Sequence, residues 1–321
     1  MAYPWADQLS PDDRVSSDTG YSVGDYLPLF EEHEYVCDAC RLRYYLYDPF
    51  AHGTAPHGPC KVILALHGAG NALSGKVAVN YAAAEHFASP QRQAALGGAY
   101  ILVPMANETR AADGHAEGTW ATFGGEAHPE QYSARVQSLI PAMGPRFAAR
   151  LGTQSVYTAP LLGLLEAFRR SHPLAGPVLL MGTSAGGYGA WSLLQAAPER
   201  FAGAILMGAA HLPPTTVVDD LIRRELPLLI CHGMHDELVP FAFAVAPHLS
   251  RYEAARSITL HCPRLVRNSD GSVASNAPGG VEMGQHCINN AVHNDLLFAD
   301  GTPMCPALPQ GVTGWIRRAI G

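Results

Sequence analysis

Gly182-Thr183-Ser184-Ala185-Gly186 reads GxSxG, with the apolar run Pro177–Met181 before it and the stretch GYGAWSLLQAA after it. A serine hydroxyl becomes a nucleophile only where a base can reach it and a substrate can approach. A sharp strand-to-helix bend meets both needs. It forces Ser184 into a strained backbone conformation, and Gly182 and Gly186 lack the side chains that would collide there. The helix starting beneath the serine directs its positive end at the place where negative charge would develop. Outside this context a GxSxG is a glycine-rich turn with an idle serine; the strand before it and the helix after it favour the nucleophile.

Acyl transfer through Ser184 needs two backbone donors, an acid and a base. His67-Gly68-Ala69-Gly70 closes the apolar run KVILAL. Small residues there let a backbone N–H approach a substrate oxygen, so Gly68 or Ala69 is expected to complete an oxyanion hole with the N–H of Ala185. The acid is expected at Asp236, which follows the apolar run in LLICHGMHDELVP, with Glu237 the weaker alternative. His232-x-x-His235-Asp236 also has the spacing of metal ligands, but no further ligand cluster accompanies it, so no metal is expected. Chain order places the base after Asp236, where His248, His261, His286 and His293 follow. His248 falls in a helix candidate and His261 in a strand. His286 and His293 read as loop, and proximity to the C-terminal helix favours His293 over His286. Trp120, Phe123 and Tyr188 could line an acyl or aromatic pocket, or simply pack.

These residues need a scaffold that brings them to one edge. Short apolar runs recur at Arg41–Tyr47, Lys61–Leu66, Ala99–Pro104, Pro177–Met181, Gly203–Met207, Pro227–Cys231 and Ser257–His261. Several are continuously apolar, as in parallel strands covered on both faces. Helix candidates at Ala159–Ser171, Tyr188–Ala197, Phe241–Ala255 and Val312–Ile320 alternate with them. The pattern predicts an α/β fold: a doubly wound, mostly parallel, eight-stranded sheet in a single domain spanning 1–321. The run around Glu34–Tyr47 predicts an antiparallel entry. Two long stretches interrupt the alternation: 111–158, expected to be a cap, and 264–292, a polar insertion.

Of the 321 residues 48% are hydrophobic and 15% charged, enough apolar material for a sizeable core. A net charge of −7 without a basic run argues against nucleic acid or an anionic membrane as partner. Met1–Asp13 has neither the basic start nor the apolar core of a secretory signal, and no run is long enough for a membrane span. Seven cysteines cannot all pair internally. The Cys37-x-x-Cys40 pair reads as two thiols at a hairpin. A cytoplasmic protein is expected.

The pieces RLRYYLYDP, VILALHGAGN, EHFASPQRQ, YILVPMANE, GTSAGGYGAW, PERFAGAILMGAA and HGMHDELVP, in this order across much of Arg41–Pro240, resemble the α/β-hydrolases described as predicted peptidases and as feruloyl-esterase-like or polyhydroxybutyrate-depolymerase-like esterases. The resemblance implies the α/β-hydrolase fold and a Ser–His–Asp triad that hydrolyses a small-molecule ester without metal or organic cofactor. It leaves room for a peptidase acting on small peptides; a non-catalytic binding protein on the same scaffold is the contrasting possibility. The segment 264–292 is longer than the pattern provides.

Overall fold

A computed structural model describes residues 24–38, 40–55, 58–276 and 282–321; the stretch Met1–Asp13 lies outside them. Eight strands form one sheet: β1 (Glu31–Val36), β2 (Arg41–Tyr47), β3 (Cys60–Leu66), β4 (Ala99–Pro104), β5 (Ala175–Thr183), β6 (Gly203–Met207), β7 (Leu228–Cys231) and β8 (Ile258–His261). Their order across the sheet is β1-β2-β4-β3-β5-β6-β7-β8. The β1–β2 hairpin enters antiparallel and β2 runs antiparallel to β4; the other pairings are parallel. All carboxyl ends from β3 to β8 therefore meet one edge. The order reverses between neighbours β3 and β5, where an open α/β sheet leaves a crevice for a ligand.

The continuous apolar runs separate by alternate residues. Val62, Leu64, Leu66, Leu180, Leu206 and Ile230 face α2 (Thr158–Ser171), α3 (Ala185–Ala196) and α4 (Thr215–Arg223). Ile63, Ala65, Leu179, Met181, Ile205 and Leu229 face the opposite layer, which includes α1 (Pro90–Leu96), α6 (Ile288–His293) and α7 (Gly311–Ile320). Burying each large aliphatic side chain contributes about 1.5–3 kcal/mol, so both layers are held by the sheet rather than by their loops.

Two local expectations change. The helix candidate Phe241–Ala255 is broken into Phe241–Ala244, a 3-10 turn at Ala246–His248, and α5 (Leu249–Ala254). Pro247 lacks the N–H that a continuous helix would use and restricts the residue before it. His293 ends helix α6 instead of lying in a loop. The stretch 111–158 holds three single-turn helices, enclosed by a two-residue antiparallel pairing of Phe123–Gly124 with Gln154–Ser155, and a small hairpin joins Thr109–Arg110 to Ala116–Glu117 at its start. Tyr132, Val136, Met143 and Leu151 make a small cluster with Leu212, beyond the end of β6. Cys37 and Cys40 are thiols with their sulfurs 3.8 Å apart at the β1–β2 turn. No described helix is long and apolar enough to cross a membrane.

Several histidines are packed as neutral rings. Burial depresses His67, His248 and His261 to about 4, and His211 to about 3. Unfolded, each would titrate near about 6.5. A folded value below the unfolded one means stability is full above the unfolded value and is lost as pH falls towards the folded value, by about 1.4 kcal/mol per pH unit per histidine. The urea midpoint is therefore expected to drop steeply between pH 6.5 and 4. A midpoint that stays constant over that interval would contradict this packing.

Candidate active site

The bend after β5 has the geometry its sequence predicts. Ser184 is half-buried and holds φ 53°, ψ −117°, a conformation costly for a residue with a side chain. A Cβ at Gly186 would lie 2.1 Å from the Leu66 carbonyl oxygen and 2.6 Å from that of His67; at Gly182 it would lie 2.4 Å from the Gly186 oxygen. Only glycines let α3 descend onto the end of β3. The bend is then tied to β6: the Ser184 N–H donates to Met207 O at 2.9 Å, and Ser184 O accepts from Ala210 N at 2.9 Å. Ala185 is the first residue of α3, so its N–H has no intrahelical acceptor.

The loop after β3 lies against this bend. A Cβ at Gly68 would stand 3.5 Å from Ser184 Cβ. His67 Nε2 accepts from Ala106 N at 3.2 Å, so its Nδ1 carries the proton and donates to Gly68 O at 2.7 Å. Burial pushes His67 down to about 4, against the opposing pull of the Gly68 carbonyl, and the ring stays neutral in this tautomer. Glu108, just past β4, adds a second fastening: its two oxygens accept from Gly70 N and Ala72 N, both at 3.0 Å. Burial raises the Glu108 carboxyl, with those two N–H groups opposing. Gly68 and Ala185 thus share one small volume with Ser184, while Ala69 is exposed on the rim. The segment PMANE carried Glu108 in plain sight, yet no spacing rule marks a glutamate that binds backbone.

Asp236 lies in the loop after β7 and is buried. Its carboxylate accepts from Leu238 N at 2.9 Å and Val239 N at 2.7 Å, and His286 Nδ1 lies 2.8 Å from Oδ2. Burial alone would raise its pKa. The His286 and His232 rings and the Val239 N–H outweigh burial and hold it below the ordinary carboxylate value. Because the carboxylate can only accept, His286 Nδ1 is the donor, and Nε2 is left as the basic nitrogen. His232 Nε2 donates to Val239 O at 2.8 Å, also within this loop. The His286 ring packs on the strand that flanks Ser184: a Cβ at Gly208 would be 3.4 Å from both Nδ1 and Cε1.

The structure thus corrects the choice between the two histidines. His293 is fully buried on α6, its ring centroid 3.7 Å from that of His86, and its carbonyl accepts from Arg92 Nη2 at 2.7 Å. Burial drives its pKa well below the usual value, with His86 and Arg92 adding to the effect. It faces the packing layer of α1, away from Asp236. His286 reaches Asp236 because the polar insertion is a folded tie. Arg267 bridges Val273, and the buried Gln285 side chain accepts from Val266 N at 2.7 Å and donates to Ala274 O at 2.9 Å.

Of the three aromatic residues read as lining a pocket or simply packing, two pack. Trp120 is completely buried, 5.3 Å from the His67 ring and edge-on to Tyr157 at 4.8 Å. Tyr188 is completely buried as well, with its hydroxyl on Thr153 and its ring edge-on to His211 at 4.6 Å. Both support the loops that carry the site. Phe123 is the half-exposed aromatic, packed against Ala121, Ala185 and Tyr188.

No family model and no curated protein sequence matches the chain. Among solved structures, a thermostable esterase overlaps 84% of this chain with TM-score 0.56 at 15% identity, and this chain spans 61% of that one. The chain has the α/β-hydrolase fold. Est1E from Butyrivibrio proteoclasticus overlaps 73% of this chain and 88% of its own at TM-score 0.41 and 14% identity. A dienelactone hydrolase from Anabaena variabilis overlaps 74% and 88% at TM-score 0.41 and 17% identity. In an α/β-hydrolase the loops after β3, β5, β7 and β8 converge on the bend after β5, as these do.

Replacing His286 and His293 separately distinguishes their roles. His286→Ala is expected to leave the fold intact and to reduce reaction of Ser184 with a fluorophosphonate by about 10³-fold or more. His293→Ala is expected to lower the melting temperature while the folded fraction keeps its reactivity. Labelling that survives loss of His286 but not of His293 would reverse the assignment.

Proposed function

We propose that this α/β-hydrolase is a serine hydrolase acting on carboxylic esters through an acyl-enzyme. The observation that carries the proposal is the strained Ser184 at the head of α3, on the edge where a buried Asp236–His286 pair presents a basic Nε2. Ser184 Oγ attacks the ester carbonyl carbon as Nε2 takes its proton. The carbonyl oxygen becomes an oxyanion beside the N–H groups of Ala185 and of Gly68 or Ala69. Each such donor is worth about 3 kcal/mol in acyl transfer. The tetrahedral centre collapses, the C–O bond to the alcohol breaks, and the imidazolium gives its proton to the leaving oxygen. Water then repeats the sequence on the acyl-enzyme, with Nε2 as base, releasing the acid and Ser184. Asp236 stays ionised throughout, since its environment favours the anion, and it stabilises the imidazolium that forms in each half-reaction.

Every group this mechanism uses belongs to the chain. Phe123, half-exposed and packed against Ala185, would form one wall for the acyl or alcohol part of the ester.

Ser184→Ala is expected to reduce turnover of a short-chain nitrophenyl ester by about 10⁵-fold, with the melting temperature little changed or raised by relief of strain. Acyl release measured across short-chain, acetylated-sugar and hydroxycinnamate esters would locate the preferred class. Undiminished hydrolysis by the alanine variant would end the proposal.

A further inference from the structure

Glu237 stands next to Asp236 and bonds the backbone that carries the imidazole. Its Oε2 accepts from the backbone N–H of His286 at 3.0 Å, and its Oε1 from that of Gln285 at 3.3 Å. The His286 N–H is shared with Met283 O at 3.1 Å. Adjacent carboxylates therefore hold one residue at two points: Asp236 grips the ring at Nδ1, and Glu237 grips the main chain from which the ring hangs. We propose that Glu237 is a positioning residue for His286, fixing the backbone of the base so that Nε2 stays aimed at Ser184 while protons move. The inference rests on the reading of Ser184, His286 and Asp236 as the reacting groups.

Two further observations say why such a grip is needed. His286 comes late in a long insertion, two residues before α6, rather than from a short loop tied to β8, so bonds from outside the insertion bear on its position. Immediately before it, the Gln285 side chain bonds to Val266 and Ala274, both within the same segment. Those bonds join the segment to itself, and Val266 and Ala274 also pack into the core layer against the sheet. Glu237 belongs to the loop after β7, and its bonds connect the insertion to the body that carries Asp236. The two partners also meet closely: a Cβ at Gly233 would lie 2.4 Å from Gln285 O. Charged acceptors make stronger bonds to N–H groups than neutral ones, so a glutamate here outperforms an amide of the same shape. Glu237 is half-buried, and burial raises its carboxyl. Glu108 grips the oxyanion loop in the same manner on the other side of Ser184.

The test compares Glu237→Gln and Glu237→Ala with the parent chain. Glutamine keeps the shape and one acceptor but turns an amide N–H towards the other backbone N–H. With a nitrophenyl ester, whose leaving group departs without a proton, kcat is expected to fall about 10-fold in Glu237→Gln at nearly constant KM. With an alkyl ester, whose alkoxide must be protonated by the imidazolium, kcat is expected to fall about 100-fold, so the ratio between the substrates rises. A role confined to folding would lower both rates equally, by the fraction unfolded. Independently of turnover, the Nδ1 proton of His286 on Asp236 should give a downfield proton resonance that shifts or broadens in Glu237→Gln. An unchanged substrate ratio in the folded variant, or an unchanged resonance, would overturn the proposal. A parent chain that hydrolyses neither ester would sink the esterase reading instead, and the resonance would still decide whether Glu237 positions the imidazole.

Discussion

The architecture of the site depends on how closely α3 approaches the end of β3. Gly186 is pressed against the Leu66 and His67 carbonyls, and Gly182 against the carbonyl of Gly186. That contact leaves no room for a gentle turn between β5 and α3, so Ser184 takes a conformation that side chains ordinarily avoid. Strain of this kind persists only when its surroundings over-determine it. Here the surroundings are two buried apolar layers and the hydrogen bonds of Ser184 to Met207 and Ala210. The same approach brings Gly68 against Ser184, so one packing constraint fixes both the strained Ser184 backbone and the glycine loop beside it.

Around that rigid centre the loops are fastened by polar groups satisfied by backbone rather than by one another. His67, locked neutral, ties Gly68 to Ala106; Glu108 holds Gly70 and Ala72; Asp236 holds its own turn as well as His286; Glu237 holds the main chain of residues 285 and 286. Bonds from a partly buried carboxylate to backbone N–H groups are short-range and directional. They suit loops that must hold a position to a fraction of an ångström without a dense apolar core. Two of the three aromatic residues read as lining a pocket or packing serve this support. Trp120 and Tyr188 fill the space beneath the loops, and only Phe123 reaches the surface beside Ala185.

The scaffold was legible because its signals are local. Runs such as VILAL and VLLM are apolar at every position because alternate residues meet different helix layers. All seven apolar runs appear as strands within a residue or two of their expected bounds, apart from a longer β5. The GxSxG bend was legible for the same reason, since its glycines answer to contacts within one strand–turn–helix unit and its neighbour strand. Asp236 lies in the loop after β7, as its place five residues past that apolar run implies. Chain order and distance from the C-terminal helix favour His293 because neither reports direction. His293 falls on a helix turned into the α1 layer, and the insertion folds back to deliver His286. Pro247, visible in the sequence, should have ended the Phe241–Ala255 helix early.

What the amino-acid order by itself determined is therefore the α/β alternation, the bend at Ser184, the glycines around it and the acidic loop after β7. Each follows from steric and hydrophobic rules that act over a few residues. Only the tertiary structure decided which imidazole meets Asp236, which aromatic side chains are exposed, and that Glu108 and Glu237 bind backbone. Those outcomes depend on contacts between segments about 35 to 50 residues apart, whose relative orientation no local pattern encodes.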